Sequence, residues 1–269
     1  MSSLGSLVIV GCGINPLAHC SAEAQAHIAQ AEVLVVHVPD ALGMIWLREQ
    51  HPALIDLQSC YRESANRADA YELMVQRTVA PVLAGKRVVA VFYGHPGVFV
   101  SPSHEAIKRV RAVGLSARML PGISAEDCLI ADIGFDPAEA GCAQFEATQF
   151  LFNQYPVSPA AHLILWQVSV VGDHTLTTRV PAKGGLRALQ QKLLRYYPTD
   201  HQVAIYEAPT LAVGNARIEW LPLAELEQAR LSQISTLFVP ACAKPAPDFV
   251  SLASMGLDAE QAFAVVRTV

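Results

Sequence analysis

Three residues stand at a spacing that chemistry can use: Tyr61, Arg67 and Tyr71. The pattern predicts a long helix over residues 65–84. Side chains four apart on a helix share a face, so Arg67 and Tyr71 project together. Tyr61 lies six residues before Arg67, near the start of that helix. A permanent positive charge beside a tyrosine lowers its pKa from about 10. A phenolate made in this way can take a proton from a weak acid, and the guanidinium can hold the negative charge left behind. The same pair can also be a plain Arg–Tyr stack on a helix surface, worth about 0.5–1 kcal/mol. Spacing alone leaves both open.

Two further runs offer a place for such chemistry. One is Val91-Phe92-Tyr93-Gly94-His95-Pro96-Gly97-Val98-Phe99, the other Met119-Leu120-Pro121-Gly122-Ile123-Ser124-Ala125-Glu126-Asp127. Each is an apolar strand ending in a Gly/Pro turn. Open α/β sheets place ligands at such strand ends. Two in succession, with a helical stretch between them, outline a cofactor cleft.

The elements that must position these residues follow from pattern. Strands are predicted at residues 7–10, 33–38, 54–57, 87–93 and 116–120. Helices alternate with them at 22–31, 41–49, 65–84, 102–112 and 124–133. Ser21 can cap the first of these, with Glu23 in its first turn. This alternation predicts a mostly parallel sheet covered by helices. Residues 134–142 break the pattern and are expected to mark a domain boundary. Beyond them, strands are expected at 162–168, 203–207, 217–221 and 236–239, with a helix over 186–196, which predicts a mixed sheet. The expected division is 1–136, 137–242 and a helical tail over 243–269, made of one or two short helices within 245–269.

Composition excludes several classes. With 52% apolar and 16% charged residues, a chain of 269 can build a large core. A net charge of -5 without a basic block argues against nucleic acid as a partner. The apolar runs are far shorter than the roughly 20 residues of a spanning helix, so no membrane is expected. The start of the chain has no basic n-region, so no signal peptide is read. The six cysteines form no CxxC pair and no zinc spacing. They read as free thiols of a cytoplasmic protein, with Cys12 and Cys128 buried. His19, His162 and His201 have no ligand-like spacing, and Asp132, Asp136 and Glu139 read as surface or loop charges. No metal is expected. Gly11-Cys12-Gly13 after a strand invites a dinucleotide reading, but Pro16 stands where the third glycine belongs. What remains is a tight turn, or a loop lining a cleft where glycine permits close approach.

Four motifs occur in order: Val10-Gly11-Cys12-Gly13, Tyr93 to Phe99, Pro121-Gly122-Ile123-Ser124-Ala125, and Ile234-Ser235-Thr236-Leu237-Phe238-Val239-Pro240. Together they resemble the tetrapyrrole methylase superfamily, the class III S-adenosylmethionine (SAM) methyltransferases, over residues 5–240. That resemblance implies two α/β domains with SAM between them and S-adenosylhomocysteine as product. Most members carry Gly-Asp-Pro where His95 stands here. With that departure, Gly97-Val98-Phe99, Ser124 to Cys128, Phe145-Glu146-Ala147, Leu165-Trp166-Gln167-Val168 and the Tyr61, Arg67, Tyr71 trio resemble a narrower group, the borosin peptide backbone α-N-methyltransferases. The fused fungal members end in their own substrate peptide. This sequence stops at Val269, and so resembles the split bacterial type, which methylates a separate precursor.

The resemblance implies catalytic roles for Tyr71, Arg67, Tyr61 and Tyr93. Tyr71 would take the amide proton while Arg67 holds the imidate charge. Tyr61 would bond the substrate carbonyl or share the base role. Tyr93 would sit by the methyl group. Cofactor contacts would come from Tyr93, His95, Val98, Phe99, Ser124 and Ala125, and from Gln167, Tyr206, Ser235 and Thr236. Backbone groups at Ser124 and Ala125 would meet the methionine carboxylate at a helix N-terminus. His95 has an alternative role as a turn residue before Pro96. Partners would be a second copy of the chain and a precursor bearing a small helical binding domain, two of each. A tetrapyrrole C-methyltransferase and a non-catalytic SAM-binding regulator remain the alternatives.

Overall fold

The computed structural model describes residues 4–173, 184–211, 213–258 and 260. Among them, two five-stranded sheets organise the chain. The first holds β1 (Ser6–Gly11), β2 (Val33–His37), β3 (Ile55–Asp56), β4 (Arg87–Phe92) and β5 (Ser116–Met119). Their order is β3-β2-β4-β1-β5, and every pairing is parallel. Leu34, Val35 and Val36 of β2 and Val88 to Val91 of β4 are buried almost completely. Near-continuous apolar strands are what a parallel sheet covered on both faces requires. Two separate apolar clusters fill those faces. One lies under the helices Arg67–Leu83 and Ser101–Ala112, the other under Ala22–Ala29 and Ala41–Gln50.

The second sheet holds β6 (Cys142–Glu146), β7 (His162–Trp166), β8 (Gln202–Glu207), β9 (Arg217–Pro222) and β10 (Thr236–Val239), in the order β6-β7-β10-β8-β9. Only β6–β7 is parallel, so this sheet is mixed. Helix Gly185–Leu193 covers one face. Helix Ala125–Ile133 covers the other, through Leu129 against Trp166, Tyr206 and Phe238. Just beyond it, Phe135 stacks on Phe238 with ring centres 4.7 Å apart. A division of the sequence at residue 136 therefore runs just after a helix whose core contacts are with the second sheet.

Several expectations need correction. The long helix starts at Arg67, capped by Asn66, whose Oδ1 accepts the Asp69 N–H. Tyr61 belongs to a separate short helix, Ser59–Glu63. Strand β7 ends at Trp166 rather than 168, because Gln167 turns left-handed with φ 57°. Strand β6 and the helix Ala147–Phe152 after it were not expected from the sequence. The helix expected to 196 ends at Leu193. In the tail, Phe249–Ser254 is helical, while residues 259 and 261–269 lie outside the described residues. All six cysteines are free; Cys12 is buried but Cys128 only half-buried.

The glycines at the end of β1 and just beyond it serve the chain's own packing. A Cβ on Gly11 would lie 2.3 Å from the carbonyl oxygen of Gly94, and Gly13, at φ 73°, pairs with Gly94 in a β-bridge. The two strand-end loops can approach only because these positions lack side chains. Pro16 opens the short helix Pro16–His19.

Candidate active site

Two chambers open where the sheets face one another, and they share a wall. The first has a volume of about 330 Å³, within the range of about 300–1,000 Å³ common for small-molecule sites. From the end of β4 and its loop come Tyr93, His95, Val98 and Phe99, and from the next strand-end turn Ser124 and Ala125. The second sheet contributes Gln167, Tyr206, Ser235 and Thr236. Tyr61 and Tyr71 line the same chamber from the two neighbouring helices, with ring centres 6.4 Å apart and nearly perpendicular. The second chamber, about 650 Å³, is lined by Arg67, Ser101, Glu146, Thr148, Gln149, Phe152, Val170 and Asp173. Tyr71, Phe99 and Gln167 border both.

A family model described as Tetrapyrrole (Corrin/Porphyrin) Methylases matches residues 6–227. The chain belongs to this family. Among solved structures, the uroporphyrin-III-C-methyltransferase of Thermus thermophilus superposes with a TM-score of 0.63 at 19% identity, covering 88% of this chain and 92% of that one. At that identity the likeness concerns the fold. Similar sequences include a Gymnopus fusipes protein described as a methyltransferase and ribosomally synthesized precursor of the gymnopeptides. It is 39% identical over 242 residues, 88% of this chain and 57% of that protein. The corresponding omphalotin A precursor of Omphalotus olearius is 36% identical over 248 residues, 90% of this chain and 59% of its own length. The chain thus spans about three fifths of these relatives.

Electrostatics distinguish the residues that line the two chambers. Arg67 is half-buried and has no ion-pair partner within 4.0 Å among the described residues. Other arginines nearby are committed: Arg77 to Glu63 and Ser59, Arg109 to Glu72 and Glu105. An uncommitted guanidinium facing a cavity is available to an incoming acceptor. Burial pushes the Tyr93 hydroxyl up to about 12, helped by Cys12, Cys128 and Asp40, so it stays protonated at neutral pH. Burial, and then a 2.7 Å bond donated to Asp132 Oδ2, push the Tyr206 hydroxyl higher still. Asp132 was read as a surface charge; it is exposed, yet it anchors a chamber residue.

Ser124 caps helix Ala125–Ile133 in a reciprocal capping box. Its Oγ accepts the Glu126 and Asp127 N–H groups, and its own N–H donates to Asp127 Oδ2 at 2.6 Å. The cap uses up the Ser124 N–H and sets a carboxylate beside it. A ligand carboxylate at that turn has the Ala125 N–H left to it. Ser235 Oγ donates to Glu207 Oε1 at 2.6 Å, and Glu207 is held in turn by Arg217 at 2.8 Å. His95 lines the chamber and also shapes its turn, its Nδ1 accepting the Gly97 N–H at 3.0 Å.

Phe99 and Gln167 are the non-glycine residues with positive φ among those described, 54° and 57°. Both lie in the shared wall, one from each half of the chain. Strained backbone of this kind gathers at functional sites. The Trp166 ring stands 6.0 Å from Phe99, and its Nε1 donates to Gln144 at 2.9 Å. His19, His162 and His201 bond backbone groups away from the chambers. No group of three or more metal-ligating side chains occurs among the described residues. His37, at the end of β2, also lines the first chamber, and it belongs to none of the sequence motifs. The strand-end rule applied to β2 would have found it.

Proposed function

We propose that this protein is a SAM-dependent methyltransferase that α-N-methylates backbone amides of a ribosomally made precursor, a borosin methyltransferase whose substrate is a separate chain. The observation that carries this reading is the uncommitted guanidinium of Arg67 in one chamber, four residues from Tyr71 in the wall of both. The first chamber suits SAM in size and mixed lining, with apolar Val98 and Phe99 beside polar Ser235 and Thr236. When bound there, SAM supplies an electrophilic methyl group.

An amide nitrogen is a poor nucleophile because its lone pair is delocalised into the carbonyl. Tyr71 removes the N–H proton. Charge moves to the carbonyl oxygen, where Arg67 holds it in the manner of an oxyanion hole. Tyr61 bonds the same carbonyl. With its proton gone and the carbonyl charge held, the nitrogen would be ready to accept the methyl group that bound SAM would supply. Tyr93, kept protonated by burial, is a hydrogen-bond donor beside the transferring carbon rather than a base. Tyr93, His95, Val98, Phe99, Ser124, Ala125, Gln167, Tyr206, Ser235 and Thr236 hold the cofactor. The working assembly is a homodimer with two precursor chains, each bound through a small helical domain. The domain limits 1–136, 137–242 and 243–269 are part of the same proposal, as is a cytoplasmic location.

A tetrapyrrole acceptor carries several carboxylates and would need several cations. Among the described lining of both chambers Arg67 stands against Glu126, Glu146 and Asp173. That balance favours an uncharged acceptor. The deciding experiment is tandem mass spectrometry of a candidate precursor, encoded beside this protein, after incubation with enzyme and SAM. Methyl groups on backbone amides support the proposal. An unmodified peptide, with a uroporphyrinogen methylated instead, overturns it. Failure of single-turnover methyl transfer to any acceptor, with SAM bound, would favour a regulatory module.

A further inference from the structure

The C-terminal end of β2 brings one imidazole into the first chamber that the mechanism above leaves idle. The carbonyl oxygen of His37 accepts the Tyr93 N–H at 3.1 Å, so the backbone fixes it beside the transfer residues. Its ring packs 5.7 Å from that of Tyr61, tilted by 48°, and 6.1 Å from that of Phe92. Nδ1 is sealed from solvent and meets no hydrogen-bond partner. A buried polar atom left orphaned in this way calls for an explanation.

The ring's protonation follows from that sealing. An imidazolium would bury an N–H with no acceptor, and so would the tautomer carrying its hydrogen on Nδ1. Burial lowers the pKa of His37, against the pull of Asp56 on the neighbouring strand β3. The remaining form is neutral and carries its hydrogen on Nε2, in a ring that lines the first chamber. His37 in this form offers an uncharged donor. One polar side chain its ring packs against is Tyr61.

We propose that His37 is a positioning residue for methyl transfer, its Nε2–H donating to the oxygen of Tyr61 and aiming that oxygen at the acceptor. This rests on the role given to Tyr61 above. A ring that acts through Tyr61 has no effect once the tyrosine oxygen is gone, so a double-mutant cycle isolates it.

The test measures kcat, acceptor KM and SAM affinity for His37→Leu, His37→Gln and His37→Asn, each with Tyr61 and with Tyr61→Phe. His37→Leu is expected to lower kcat about 10- to 100-fold, the scale of a misplaced reacting group, with SAM affinity unchanged. His37→Gln, whose amide nitrogen reaches the position of Nε2, restores most of the rate; His37→Asn, reaching only as far as Nδ1, does not. In the Tyr61→Phe background, His37→Leu costs nothing further. An unchanged kcat in His37→Leu, an additive loss with Tyr61→Phe, or SAM affinity falling in step with rate overturns the inference. If His37→Leu does not fold, equal rates for the Gln and Asn variants overturn it. A wild type that methylates some acceptor other than a peptide amide refutes the proposed substrate, and the same panel is then read on that acceptor.

Discussion

Tyr71 and Tyr93 carry the same phenol in different surroundings, and the proposed mechanism gives them opposite work. Tyr71 borders both chambers, with Arg67 one helical turn away. Tyr93 is held protonated by burial. Tyr71→Phe is expected to keep SAM affinity, read by calorimetry, and to lose kcat by at least about a hundredfold, the scale of a lost proton acceptor. Normal methylation by that variant would refute the assignment. Arg67→Lys keeps the charge but loses the planar fork. It should fall by about 10²–10³ in kcat if Arg67 is the oxyanion donor. Ala125→Arg would fill the first chamber and abolish SAM binding; unchanged affinity would mean that the cofactor lies elsewhere. The Arg67–Tyr71 relation was legible because helical spacing is a local property. His37 was not, since its significance depends on a ring contact with Tyr61 and on what fails to reach Nδ1.

At the scale of elements, helix Arg67–Leu83 must stay in register for Arg67 and Tyr71 to meet the chambers. Glu72 fastens it to helix Ser101–Ala112 through two bonds to Arg109, each 2.7 Å. Those bonds, with one from Gln76, hold the Glu72 carboxyl down to about 2. A depressed carboxyl contributes stability that is fully present above the unfolded-state value, and it is lost as pH falls through the folded one. The difference in melting temperature between the wild type and Glu72→Gln should therefore be small and constant above pH 4.5 and shrink towards pH 2. A gap that persists in acid would show that the ion pair is not its source. The left-handed turn at Gln167 predicts a second effect. Gln167→Val should destabilise the fold by about 1–3 kcal/mol, since a β-branched residue resists positive φ. Gln167→Gly should fold at least as well yet transfer poorly; denaturant titration with an activity assay separates the two. No local signal in the sequence announces that turn. Nor did the sequence disclose β6, since the alternation in Ala143-Gln144-Phe145-Glu146 spans only four residues behind a Gly/Pro-containing break. Its pairing with β7, and the bonds Gln144 makes to Trp166 and Glu126, are tertiary facts.

For the whole molecule, the two-sheet architecture was legible where strands are buried and apolar. The first sheet follows from β1, β2 and β4, whose runs admit little else. The boundary was harder, because helix Ala125–Ile133 follows the first sheet in sequence and packs on the second in space. Its apolar face does not say which sheet it will cover. The proposed assembly is open to a direct check: sedimentation across a range of concentrations should show a dimer, and a monomer throughout would defeat it. The shared wall of Tyr71, Phe99 and Gln167 carries a last consequence, for kinetics. On the proposed placement, donor and acceptor enter through separate chambers that meet at these three residues, so neither would have to leave before the other arrives, and no side chain would need to store the methyl group. Initial-rate plots at several acceptor concentrations should therefore intersect rather than run parallel. The spent thioether should compete with SAM alone and leave access for the peptide undisturbed.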